Sequence, residues 1–184
     1  MDSVSPVKDI LYQELSNISE NKIQIEISKN NSSKIISEII SKCYPKIQQI
    51  SLNLDDGFGI FAESLMHYLL TIALVPSQRK ISLKNIEIDI VIPDLRTLQS
   101  NPKDSLMIVF PKSRNKKLIE KRILDLEKIH TVKENIWIVL HEGLEFKNRT
   151  YLIKNGVNSL NKILDDINEF YSSRKQSKLK IIRS

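Results

Sequence analysis

Residues 84–113 read KNIEIDIVIPDLRTLQSNPKDSLMIVFPKS, two strand-like runs on either side of a polar turn. In the first run Ile86, Ile88, Ile90 and Ile92 alternate with Glu87, Asp89 and Val91. A period of two sets the four isoleucines on one face and both carboxylates on the other. The second run, 106–110, is apolar throughout, as a strand covered on both faces is. It stops at Pro111, which has no N–H to give a ladder, and Lys112 and Ser113 follow. Pairing of the two strands would bring Asp89 and Lys112 together at one end of a sheet. An acid on one strand and a lysine ending the next is a pattern suited to metal-dependent phosphodiester chemistry.

Outward from this pair, the spacing predicts a capped amphipathic helix opened by Ser5-Pro6 and carrying Val7, Ile10, Leu11 and Leu15. KIQIEIS at 22–28 alternates and reads as a strand. Ile35, Ile36, Ile39 and Ile40 form the buried face of a second helix that Pro45 closes. Residues 47–54 read as a further strand, and Asp55-Asp56-Gly57-Phe58-Gly59 as a loop capping the next helix. That helix, 60–74, is apolar around most of its circumference. Glu63, Ser64, His67 and Thr71 fall within about 100° of one another at 3.6 residues per turn, a narrow polar stripe that grazes solvent or faces a polar cleft. Downstream, 114–129 reads as a helix, 135–140 as a buried strand and 149–153 as a short strand. Asn155-Gly156 reads as a turn and 157–171 as a last helix. Residues 179–182 offer an edge strand.

The chain has 184 residues, 41% hydrophobic and 27% charged, which is ordinary for one soluble domain. No apolar run reaches the roughly 18 residues of a membrane span, and the N-terminus lacks the basic-then-apolar pattern of a signal peptide. Cys43 is the sole cysteine, which rules out an internal disulfide and a cysteine-rich zinc site and fits a cytoplasmic location. Four glycines form neither a phosphate-binding loop nor a dinucleotide fingerprint, and His67, His130 and His141 lack zinc-protease spacing.

The net charge of +6 is unevenly distributed. Residues 112–122 carry six basic side chains against Glu120, and residues 172–184 carry five and no acid, so the rest of the chain is net negative. Two basic patches on an acidic body match a polyanionic partner better than uniform basicity does. Arg114, Lys117, Lys121 and Lys128 fall on one helical stripe, within roughly 60°. With Arg174, Lys175, Lys178 and Lys180 of the tail they are the candidate nucleic-acid-binding residues. The competing reading of both patches is a solvated helix face and a solubilising tail.

The order helix, strand, strand, helix, strand over 60–140, with these residues on it, resembles the PD-(D/E)XK nucleases, the restriction-endonuclease-like superfamily that includes Holliday-junction resolvases. On that resemblance Glu63 matches a helical glutamate, Asp89 in EIDIVI the strand aspartate, and Lys112 the lysine that ends the next strand. These are the candidate catalytic residues, and Asp89 and Glu63 the ligands of a Mg²⁺ ion that would stabilise charge and activate water. The resemblance spans about residues 58–140. Phe110 stands where the family carries an acid two residues before the lysine, and Glu120 on the following helix is the available substitute.

The expectations are therefore an α/β domain over 1–171 with a mixed central sheet flanked by helices and a restriction-endonuclease-like core, followed by a basic tail over 172–184. The function implied is association with nucleic acid, DNA or RNA, by a nuclease-like fold with weak or lost catalysis. An active Mg²⁺-dependent nuclease and a protein-interaction module, with a protein partner or a second copy, remain alternatives. No membrane association is expected.

Overall fold

The computed structural model describes residues 5–154 and 159–181, with 174–181 by backbone alone. Four helices come first: α1 (Pro6–Ile18), α2 (Glu20–Ser28), α3 (Ser32–Ile50) and α4 (Leu54–Ile72). Then follow β1 (Gln78–Leu83), β2 (Ile86–Ile92), α5 (Leu95–Ser100), β3 (Leu106–Val109), α6 (Lys116–Glu127), β4 (Ile136–Leu140), β5 (Thr150–Leu152) and α7 (Ile163–Ile181). The five strands lie in sequence order in one sheet. β1, β2 and β3 pair antiparallel, whereas β3, β4 and β5 pair parallel. The result is a single α/β domain with a mixed sheet.

The sheet is covered on both faces, which is why its central strands are apolar without alternation. Leu106, Ile108 and Phe110 pack with α1, α3, α4 and α7, and Met107 and Val109 pack the other way with α5 and α6. β4 divides similarly, Trp137 and Val139 toward the α4 side, Ile138 and Leu140 toward α6. The four isoleucines of β2 do not share one face. Ile90 and Ile92 join the α4-side core, while Ile86 and Ile88 join the α5/α6 side. β2 pairs with β3 only over Ile90–Ile92, and its first half runs on with β1 as a two-stranded ribbon, where twist is largest.

Several strand or loop expectations give way to helix. KIQIEIS lies in α2, because Ile23 and Ile27 are four apart and reach the core together, while Ile25 stays exposed. α3 passes through Pro45, losing one backbone bond, and ends at Ile50, so no strand occupies 47–54. α4 opens at Leu54, placing Asp55-Asp56-Gly57-Phe58-Gly59 inside it; the Asn53 side chain caps it by accepting from the Asp55 and Asp56 N–H groups. The C-terminal helix carries on past Tyr171 to Ile181, which replaces the edge strand. The expected turn at Asn155-Gly156 and the helix start at Val157 lie outside the described residues.

His130 joins α6 to β3. It is fully buried, its Nδ1 accepts the Val132 N–H at 3.2 Å, and its Nε2 lies 3.2 Å from the Ser105 carbonyl. The ring is thus held neutral, with the proton on Nε2, and burial lowers its pKa. A histidine pKa lower in the folded than in the unfolded chain favours the fold fully above the unfolded value of about 6.5, and this contribution is lost as pH falls through the folded value. The urea midpoint is expected to fall below that pH, and His130→Gln to flatten the decline in a pH series of urea melts.

Candidate functional site

The site grows from the place where β2 and β3 separate. The last paired residues are Ile90 and Ile108, and beyond them the Asp89 side chain takes over the ladder: its Oδ2 accepts the Phe110 N–H at 2.9 Å. Its other oxygen, Oδ1, lies 3.3 Å from Nη2 of Arg122 on α6. Burial raises the Asp89 pKa, with the Phe110 N–H and then Arg122 acting against that shift. Phe110 takes part through its backbone, while its ring is buried in the α4-side core. The ring therefore does not occupy a ligand position over the site.

Helix α4 supplies the second carboxylate. Gly59 and Glu63 stand four apart on one helix face. At Gly59 the chain after β3 passes so close that a Cβ would lie 2.9 Å from Lys112 Cγ and 3.0 Å from the Pro111 carbonyl oxygen. One turn on, Glu63 is buried, with Oε2 3.4 Å from Lys112 Nζ and Oε1 3.9 Å from Lys80 Nζ. The polar stripe of this helix meets a cleft at Glu63 rather than merely grazing solvent.

Glu63, Asp89 and Lys112 line one cleft of about 330 Å³, together with Lys80, Ser82 and Glu87. Lys80 and Ser82 are not legible as site residues, because β1 carries no strand signal that stands out in the sequence. β1 reaches β2 through a two-residue turn with both Lys84 (φ 52°) and Asn85 (φ 61°) left-handed, and only Asn85 signals such a turn in the sequence. Arg122 is one of the six basic residues of 112–122, and nothing in its spacing marks it as a partner of Asp89. Glu120, the expected substitute acid, points elsewhere: it lines a groove with Glu127, Phe146 and Asn148 on another face of α6.

A divalent ion needs free hard-oxygen ligands, typically one or two carboxylates with waters and substrate phosphates. Here Glu63 is matched to two lysines, and both oxygens of Asp89 are engaged, one by a guanidinium. Among the described residues, no three His, Cys, Asp or Glu side chains are disposed to hold a metal ion. As arranged, the donor set does not fit Mg²⁺.

Among the stripe residues, Lys117 and Lys121 are exposed and form no ion pair among the described residues. Lys128 pairs with Asp125 at 2.5 Å. Arg114 precedes α6 and bridges Glu142 and Asp55, so its charge is already shared. The side chains of Arg174, Lys175, Lys178 and Lys180 lie outside the described residues.

Comparison with solved structures places the fold. The protein chain of a restriction endonuclease PspGI–substrate DNA complex superposes with a TM-score of 0.63, covering 92% of this chain and 94% of that one, at 14% sequence identity. The chain has a restriction-endonuclease-like fold. The match extends over nearly the whole chain, well beyond the segment 58–140 that carries the sequence resemblance. Neither protein-family models nor curated protein sequences give a match. No helix among the described residues is long and apolar enough to cross a membrane.

Proposed function

We propose that the chain is a nucleic-acid-associated protein built on a nuclease-like fold, in which phosphodiester hydrolysis is weak or absent. The observation that carries this reading is the charge pairing in the cleft: Glu63, Asp89 and Lys112 meet there, but Lys80, Lys112 and Arg122 already match the carboxylates. Hydrolysis needs a nucleophilic water and charge stabilisation on the phosphate, and Mg²⁺ supplies both when carboxylates are free to hold it. DNA is the favoured partner, since the PspGI chain of like fold is in complex with substrate DNA. Exposed Lys117 and Lys121 support contact with a phosphate backbone.

Two measurements test this. Plasmid and RNA incubated with the protein and Mg²⁺ or Mn²⁺ are expected to remain intact or nearly so. Robust cleavage that Asp89→Asn abolishes would instead establish a working nuclease. Duplex affinity is expected to fall steeply with salt, because neutralised phosphates release counterions. Lys117→Ala with Lys121→Ala should reduce the slope of log affinity against log salt by about 1.8, near 0.9 for each phosphate that is no longer neutralised. Sequence preference is expected to be slight, since phosphate contacts position a protein without reading bases. Failure to bind duplex or single-stranded DNA or RNA at low salt would leave the protein-interaction reading in its place.

A further inference from the structure

We infer that His141 is an acid-responsive switch: once protonated, it takes the Asp55 carboxylate from Arg114 and leaves the adjoining face with a net positive charge for a polyanion. The inference rests on the nucleic-acid reading above and names a regulation of that binding face. His141 follows Leu140 at the end of β4, and its side chain is only 3% exposed. Helices α3 and α4 enclose the ring. Its Nε2 is 2.8 Å from the Tyr44 hydroxyl of α3, its Nδ1 is 3.7 Å from Asp55 Oδ1 of α4, and Phe58 of α4 stacks on it.

Asp55 is the shared group. The same oxygen, Oδ1, lies 3.5 Å from Arg114 Nε, and Arg114 Nη2 bonds Glu142 at 2.5 Å. Glu142 also holds Lys154, beyond β5, at 2.6 Å. The charged groups facing the ring are therefore Asp55 and Glu142 against Arg114 and Lys154, two of each sign. Around a neutral His141 this cluster sums to zero. One proton on the ring tips it to a net positive charge, which attracts a polyanion.

Neutral His141 carries its proton on Nδ1, toward the carboxylate, and Nε2 accepts from the Tyr44 hydroxyl. Protonation makes Nε2 a donor as well. The Tyr44 oxygen then accepts from it, and the half-buried hydroxyl turns its own proton away. The charged ring draws Asp55 Oδ1 into hydrogen-bond range, and Arg114, whose side chain is 57% exposed, keeps Glu142 alone. Burial sets the ring's pKa below the usual histidine value of about 6.5, with the Glu142 and Asp55 carboxylates acting against that shift. The switch therefore works on the acid side of neutrality. Arg114 leads directly into α6, where Lys117 and Lys121 are exposed and form no ion pair among the described residues. The added charge joins the surface on which a phosphate backbone is expected.

The test follows the full chain from about pH 7.5 to about pH 5, across the ordinary histidine value of about 6.5, with circular dichroism verifying the fold at each pH. Nuclear magnetic resonance reads the His141 ring and the Arg114 Nε–H without nucleic acid, and fluorescence anisotropy reads duplex affinity against salt. The Arg114 signal is expected to move with the His141 midpoint in the wild type and to lose that response in His141→Gln and in Asp55→Asn. Duplex binding should tighten in acid, with the slope of log affinity against log salt steeper by about 0.9, for one more phosphate neutralised. His141→Gln should abolish that change and His67→Gln should keep it. Asp55→Asn, which removes one negative charge from the cluster, should bind at neutral pH about as tightly as the wild type does in acid. By linkage, saturating duplex should raise the His141 midpoint. An Arg114 signal indifferent to the His141 titration, or acid tightening that persists in His141→Gln, would overturn the inference. If no nucleic acid binds at low salt, the functional reading falls by itself, and the resonance titrations still decide whether His141 takes Asp55 from Arg114.

Discussion

Phe58→Ala is expected to remove about 3–5 kcal/mol of folding stability, the range for truncating a buried aromatic ring. Phe58 is completely buried in the opening turns of α4 and packs against two further rings that also touch each other. The Tyr44 ring lies 4.5 Å away by centroid, and the His141 ring 4.2 Å away at an interplanar angle of 13°. Phe61 meets its edge at 88°. Tyr44 OH and His141 Nε2 are themselves 2.8 Å apart, so three elements, α3, α4 and the end of β4, are joined around one ring. Gly59 follows immediately, and Glu63 lies one turn beyond it. Loss of the ring therefore loosens the part of α4 that presses against Pro111 and Lys112. Equilibrium denaturation of Phe58→Ala and Phe58→Leu measures the effect, with leucine expected to recover a large part of it by refilling the volume. A loss under about 1 kcal/mol in the alanine variant would mean the start of α4 is anchored elsewhere.

The same region shows what the sequence can and cannot disclose. Asp89, Lys112 and Glu63 are legible because each sits at a place where period and punctuation agree: an alternating strand, a proline-terminated apolar run, a polar position on an apolar helix. Their convergence depends on something less local. In the sequence Gly59 reads as part of a loop, yet its missing Cβ is what lets α4 lie against the chain after β3. Lys80 is invisible because the Lys84-Asn85 turn carries a weak signal and β1 is short and largely exposed. The isoleucine-rich helices mislead for a simpler reason. In KIQIEIS the residues that satisfy a period of two also include a pair four apart, and only packing against α3 decides between strand and helix. Pro45 signals a stop, although the buried Ile47 beyond it repays continuation of the helix.

The pairing of Arg122 with Asp89 follows from none of these patterns, since residues 33 apart are brought together only by the fold. It also separates a structural from a chemical role for Asp89. Asp89→Ala removes the acceptor of the Phe110 N–H and leaves that donor unpaired where β2 and β3 divide. The expected cost is about 1–3 kcal/mol, the desolvation penalty of one unsatisfied buried group. Asp89→Asn retains an amide oxygen for that N–H, and Arg122, 30% exposed, can turn to water. The carboxyl itself works against the fold. A carboxylic acid whose pKa is raised in the folded state favours folding while protonated and loses that advantage as pH rises through the folded value. Asp89→Asn has no such titration. Relative to wild type, its stability should therefore improve as pH rises from about 4, the ordinary value for aspartate, to neutrality, where it should equal or approach the wild type. Urea melts of the wild type and both variants at pH 4, 5.5 and 7 read this directly. A stable asparagine variant with altered duplex or Mn²⁺ binding would assign Asp89 to the cleft's chemistry. An asparagine variant as unstable as the alanine one at neutral pH would show instead that the ion pair with Arg122 holds the sheet together.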